Sequence, residues 1–124
     1  MQINSGTSLS RRGENFVSNY LSSKGFRIIT NNYRIKGAEI DIIALKDSTL
    51  CFIEVKTRKS LQRGKGVFAV NEKKMRKIVL GAKFFLRSNP QMKNFKIRID
   101  VADVYFDTNS KPELNYYENV WQEY

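Results

Sequence analysis

The sequence predicts an α/β fold: a single domain with one mixed β-sheet flanked by helices, its elements in the order α-β-β-β-α-β-β. Three observations carry this expectation. Two stretches, from Leu9 to Ser23 and from Asn71 to Arg87, repeat apolar residues at helical spacing. Five shorter stretches are rich in β-branched and aromatic residues and bounded by turn formers. Two neighbouring ones, Glu39 to Leu45 and Leu50 to Val55, are apolar on both faces, as strands are when both sides of the sheet are covered.

Taken in order, residues 1–8 (MQINSGTS) read as a loose arm, and residues 9–124 as one domain. Phe16, Val17, Tyr20 and Leu21 give the first helix its apolar side, and Lys24-Gly25 ends it. Phe26 to Tyr33 is the first strand. The next two strands are joined by a turn over Lys46 to Thr49. A basic, glycine-containing loop runs from Arg58 to Gly66. In the second helix Met75, Ile78, Val79, Ala82 and Phe85 or Leu86 form the apolar stripe, with Lys73, Lys74, Lys77 and Lys83 on the other faces. Asn89-Pro90 stops that helix. Lys96 to Phe106 is a long strand, Asn109 to Pro112 a turn, and Glu113 to Glu118 an edge strand.

Composition narrows the chemistry. The chain has 124 residues, of which 41% are hydrophobic, enough for one domain with its own core. No apolar run approaches the roughly 20 residues of a membrane span, and Met1 to Ser10 lack the charged-then-apolar order of a signal peptide. With a single cysteine, Cys51, no internal disulfide can form, and a cytoplasmic location is expected. Histidine is absent, which excludes Ser-His-Asp and Cys-His catalysis and leaves zinc without soft ligands. Carboxylates, lysine, tyrosine and oxygen-bound hard metal ions remain.

The net charge is +10, and all of the excess lies between Lys56 and Arg87, where 11 basic residues face one acid, Glu72. So concentrated a basic segment attracts polyanions, nucleic acid first among them. A solvated, solubilising surface is the alternative. An anionic membrane fits less well, because the basic helix needs its apolar side for the core.

The informative acids are Asp41 and Glu54, with Lys56. Residues two apart on a strand share a face, so Glu54 and Lys56 do, as do Glu39 and Asp41. A hairpin symmetric about Asp47-Ser48 sets Asp41 opposite Glu54 and Glu39 opposite Lys56, all on one face. Like charges so placed destabilise a sheet unless a cation sits between them or a pKa rises. Mg²⁺ or Mn²⁺ held by Asp41, Glu54, a backbone carbonyl and water suits the first case, with Lys56 beside the ion to orient a water or to stabilise charge on a phosphate. The plain alternative is a strand ion pair of Glu54 with Lys56.

At these residues a resemblance enters. Asp41, twelve intervening residues and then Glu54-Val55-Lys56 match the D-x(n)-E-x-K signature of PD-(D/E)XK nucleases, the group of restriction endonucleases and archaeal Holliday-junction resolvases. A wider match, from about Ser10 to Tyr105, is to the YraN-type family of small bacterial proteins. It rests on Gly13-Glu14, Asn32-Tyr33-Arg34, Glu39 to Ala44, Phe52 to Arg58, Lys74, and Arg98 to Val101. One departure is that Ala38, not glycine, directly precedes Glu39. The resemblance implies a restriction endonuclease-like fold and Mg²⁺- or Mn²⁺-dependent cleavage of DNA, branched or structured DNA included. It also implies a metal-site role for Glu14 beside Asp41, Glu54 and Val55; a favourable acid in the first helical turn is the other reading of Glu14.

For the phosphate grip the expected residues are Arg58, Lys59, Arg63, Lys65, Lys73, Lys74 and Lys77, with Arg34 and Lys36 extending the footprint. Asp100 is expected to pair with Arg98. Tyr116, Tyr117, Trp121 and Tyr124 are core or interface aromatics, or stack on bases. A homodimer would supply two sites for cutting both strands. Two other functions stay open: a nucleic-acid-binding module without turnover, and an interaction protein whose basic face meets an acidic partner.

Overall fold

The computed structural model describes residues 8–59, 72–107 and 111–121. Helix α1 is Leu9–Ser23. Its first turn is capped by Ser8, whose hydroxyl accepts from the Arg11 backbone N–H at 3.1 Å. Gly25, at φ +93°, ends it, and the Phe26 N–H turns back to the Leu21 carbonyl. Then follow β1 (Arg27–Ile35), β2 (Ala38–Lys46), β3 (Thr49–Arg58), α2 (Glu72–Ser88), a short 3₁₀ turn (Pro90–Met92), β4 (Lys96–Tyr105) and β5 (Glu113–Tyr117).

The five strands form one sheet in the order β1-β2-β3-β4-β5. All neighbours are antiparallel except β3 and β4, which run parallel. Parallel neighbours need a long crossover, and α2 lies within it. The predicted fold class and element order are those observed. No helix among the described residues is long and apolar enough to cross a membrane. Most of the expected N-terminal arm lies outside the described residues.

Two details differ from the sequence reading. β3 continues to Arg58, because β4 offers partners along its full length: Lys56 pairs with Asp103 and Arg58 with Tyr105. The 3₁₀ turn was not expected; Pro90 stops α2, and its fixed φ suits a tight turn directly after.

The sheet separates two cores. Ile40, Ile43, Leu50, Phe52 and Ile99 meet Met75, Ile78, Ala82 and Phe85 of α2. Ile42, Ala44, Cys51, Ile53, Ala102 and Val104 meet Val17 and Leu21 of α1. Both helices approach the sheet closely, and each does so at a glycine. A Cβ on Gly13 would run into the Thr57 hydroxyl, and one on Gly81 would lie 2.9 Å from Ile40 Cδ1. Ala38 packs at the same spot against α2, which gives that methyl a buried place.

One buried polar cluster braces the far end of the sheet. Asp100, with no exposed surface, accepts from Arg98 Nε at 3.0 Å, the Tyr116 hydroxyl at 2.7 Å and the Asn119 N–H at 2.9 Å. Asp100 is thus paired with Arg98, as expected, and Tyr116 is a structural partner of it. Burial, with the Asp100 charge nearby, pushes the Cys51 thiol up to about 12, so it stays protonated at neutral pH.

Candidate active site

β2 and β3 turn at Asp47, which takes the left-handed conformation at φ +54°. Their ladder runs from Lys46↔Thr49 to Ile42↔Ile53, the register that a turn centred on Asp47-Ser48 requires. There it ends. The next backbone pair is not made; instead the Val55 N–H donates to Asp41 Oδ2 at 2.8 Å. A side chain has replaced the ladder bond, and the two strands part around it.

The strand alternation changes at the same residue. Ile40 packs toward α2 while Ile42, two positions on, packs toward α1. Across from this break Asn32 on β1 takes φ +54°, between the paired positions Asn31↔Ile42 and Tyr33↔Ile40. The expectation that Glu39, Asp41, Glu54 and Lys56 share one regular face is therefore corrected. Glu39 turns to Arg34 of β1, with Arg34 Nε 3.2 Å from its Oε2, instead of facing Lys56. Asp41 and Glu54 still converge, because the opening between the strands admits both.

They meet in a polar cleft of about 580 Å³. α1 contributes Ser10, Arg11 and Glu14 to its wall, β1 Asn32 and Arg34, β2 Glu39 and Asp41, and β3 Glu54 and Val55. Glu54 is 6% exposed. Its Oε2 lies 3.7 Å from Lys74 Nζ of α2, and its buried Oε1 has no hydrogen-bond donor among the described residues. Burial first, and the Asp41 charge second, push the Glu54 carboxyl up to about 8, against the pull of Lys74 and Lys56. Asp41 is also raised by burial, with the Val55 N–H opposing. Glu14 is raised by burial and by Asp41, while a hydrogen bond with Asn32 works the other way.

A hard divalent cation fits this donor set. A buried carboxylate, Glu54, and a half-buried one, Asp41, repel each other at one opening, and Glu54 Oε1 lacks a partner among the described residues. A cation there would relieve both conditions. The ligands would be Asp41, Glu54 and the Val55 carbonyl, completed by water, as suits Mg²⁺ or Mn²⁺. Among the described residues no three Asp, Glu, His or Cys side chains gather closely enough to hold an ion by themselves. Glu14, on the α1 wall of the same cleft, is close enough to hydrogen-bond Asp41, so it could join the ion's shell directly or through water.

The basic residues divide into three groups. Lys56, half-buried, acts on Glu54 through its charge, and Lys74 does so at close range. Arg58 is held by buried Asp103, Nε to Oδ1 at 3.0 Å, with its guanidinium near the Tyr105 ring. Lys59 follows β3, and Lys73 and Lys77 lie exposed on α2. Arg63 and Lys65 lie outside the described residues. Sequence reasoning missed Ser10, Arg11 and Asn32 in the cleft wall and Asp103 behind Arg58. Only Asn32 carried a signal, since asparagine tolerates positive φ better than its strand neighbours.

Comparison with known proteins places the chain. A family model described as "Uncharacterised protein family UPF0102" matches residues 13–104. A UPF0102 protein of Chlorobium phaeobacteroides (strain DSM 266) is 42% identical over 107 residues, covering 86% of this chain and 84% of the relative. One of Desulforapulum autotrophicum is 41% identical over 102 residues, covering 82% and 84%. One of Alkaliphilus metalliredigens is 38% identical over 114 residues, covering 92% and 97%. The match includes α1 from Gly13 onward, the three strands of the cleft, and α2, and the chain belongs to the UPF0102, or YraN-type, family.

Proposed function

We propose that the protein is a metal-dependent endonuclease that hydrolyses phosphodiester bonds in DNA, branched or otherwise structured DNA included. The single observation that carries this reading is the Asp41–Glu54 pair: a buried and a half-buried carboxylate, both raised, with one Glu54 oxygen unpartnered among the described residues in a polar cleft. Such an arrangement opposes folding unless it serves a ligand of opposite charge.

Bound between Asp41, Glu54 and the Val55 carbonyl, Mg²⁺ or Mn²⁺ would supply Lewis-acid charge to a phosphoryl group. The protein's own residues do the rest. Asp41, fixed by the Val55 N–H, holds its second oxygen toward the cleft. Lys56, two residues beyond Glu54 on β3, orients the attacking water in line with the phosphorus and offsets charge gathering on the phosphate oxygens. Glu14 closes the α1 side of the cleft and accepts hydrogen bonds from that water. Arg58, Lys73 and Lys77 meet the flanking phosphates, positioning the strand without reading its sequence.

Asp41→Ala tests the reading. Cleavage of a junction or flap substrate in Mn²⁺ is expected to disappear, while salt-sensitive DNA binding persists. Undiminished cleavage would place the chemistry elsewhere. A second reading, a DNA-binding module without turnover, is favoured by one observation: the described residues hold no three-acid cage. It predicts binding without cleavage for the wild type as well.

A further inference from the structure

Lys74 differs from the other lysines of α2: it is half-buried, where Lys73, Lys77 and Lys83 are exposed. Its Nζ lies 3.7 Å from Glu54 Oε2. Its positive charge also opposes the rise of both carboxyls, Glu54 and Asp41. The helix that carries it is fixed in place against the sheet. The next residue, Met75, is buried in the core with Ile40 and Phe52, and Gly81 brings the helix close to Ile40 of β2. A lysine ammonium is thus already delivered to the acids that the cleft brings together.

The three charges differ in their freedom to move. Glu54 is 6% exposed on β3, backed by β4 through the Glu54↔Val101 pair. Asp41 is tied by the Val55 N–H. Lys74 ends a flexible four-carbon stem, and 43% of its side chain is exposed, so other rotamers carry the ammonium into solvent. A second cation arriving at the carboxylates therefore displaces the ammonium and leaves the acids where they are. The ammonium does not complete the site by itself: its separation from Glu54 is beyond hydrogen-bond distance, and Glu54 Oε1 has no donor among the described residues. Exchanging one positive charge for two, at closer range, favours a divalent ion. Exchange for a monovalent ion gains no charge.

We propose that Lys74 is the internal counter-ion of the cation seat: its ammonium lies against Glu54 until a divalent ion enters, and then withdraws to the exposed side of α2. The inference rests on the reading of Asp41 and Glu54 as a cation seat, and it makes Lys74 a positioning residue that governs which ions the seat accepts. The role differs in sign from the alternatives. A counter-ion competes with the metal, so its removal strengthens metal binding. A phosphate contact leaves the metal affinity of the DNA-free protein nearly unchanged. A side chain that orients Glu54 for the ion weakens metal binding when it is lost.

Calorimetric titration of Mn²⁺ into the full-length wild type, Lys74→Met and Lys74→Arg reads the competition, with circular dichroism checking that each is folded. Lys74→Met is expected to bind Mn²⁺ about tenfold more tightly or better, and Lys74→Arg to stay within about threefold of the wild type. In protein carrying ¹³C-labelled lysine, saturating Mg²⁺ is expected to move the Lys74 Cε signal, identified by its loss in either variant, toward those of the exposed lysines. A third measurement needs no metal: urea unfolding in EDTA at about pH 9, above the range in which Glu54 keeps its proton. There Lys74→Met is expected to raise the unfolding constant about fivefold more in the wild-type background than beside Glu54→Gln. Equal or weaker Mn²⁺ binding by Lys74→Met, a Lys74 signal that stays in place, or additive stability effects would each overturn the proposal and leave the seat standing. No Mn²⁺ heat from any of the three proteins would overturn the seat, and the proposal with it.

Discussion

Glu54→Gln offers a quantitative test of the cleft in the metal-free protein. Glu54 is held at about 8 in the folded chain against an ordinary 4.5. Below about pH 4.5 the carboxyl is protonated both folded and unfolded, and its burial costs the fold little. As the pH rises toward 8 the unfolded chain releases its proton while the folded chain retains it, so stability falls. The loss is complete above about pH 8 and on the order of 5 kcal/mol. Asp41 is raised as well and acts in the same direction. The chain has no histidine, so few other side chains titrate in this window. Urea unfolding in EDTA, followed by circular dichroism from about pH 5 to pH 9, should show wild-type stability declining and Glu54→Gln nearly flat. The variant should therefore be the more stable protein at alkaline pH. Parallel profiles for the two would refute the claim that Glu54 is buried beside a second carboxylate.

Two further predictions concern the scaffold. Asp100→Asn removes the charge that Arg98, Tyr116 and Asn119 surround and should cost about 3–5 kcal/mol, with Tyr116→Phe losing about 1 kcal/mol; thermal unfolding of both variants checks this order. Gly13→Ala should destabilise by about 1–3 kcal/mol, because the new methyl meets Thr57, and Thr57→Ala in the same chain should restore part of the loss.

How far the site was legible depends on the range of the interactions that build it. The β2–β3 register was open to inspection, since a two-residue turn and the twofold repeat of a strand fix it locally. That register brings Asp41 near Glu54. The break of alternation at Asp41 was not legible, because it answers to Asn32 on β1 and to the packing of Ile40 against Gly81, both distant in sequence. Arg58 read as loop because nothing nearby in sequence announces its partner; the pairing with β4 and the carboxylate of Asp103 lie 45 residues on. Arg11 likewise reaches the cleft only through the docking of α1, which Gly13 permits. The clustering of positive charge was plain from the sequence, but the division of α2 was not. Lys74 faces the acids, while Leu80 and Phe84 stand on a separate surface.

The central claim is that Asp41 and Glu54 form a seat for a hard divalent cation. Calorimetric titration of Mn²⁺ into the wild type and Glu54→Gln, near neutral pH and in two buffers of different ionisation heat, tests it without a substrate. One ion should bind the wild type and release about one proton, since Glu54 must ionise to accept it. Glu54→Gln should bind at least about tenfold more weakly and release fewer protons. Equal affinity for the two proteins, or no heat from the wild type, would contradict the account.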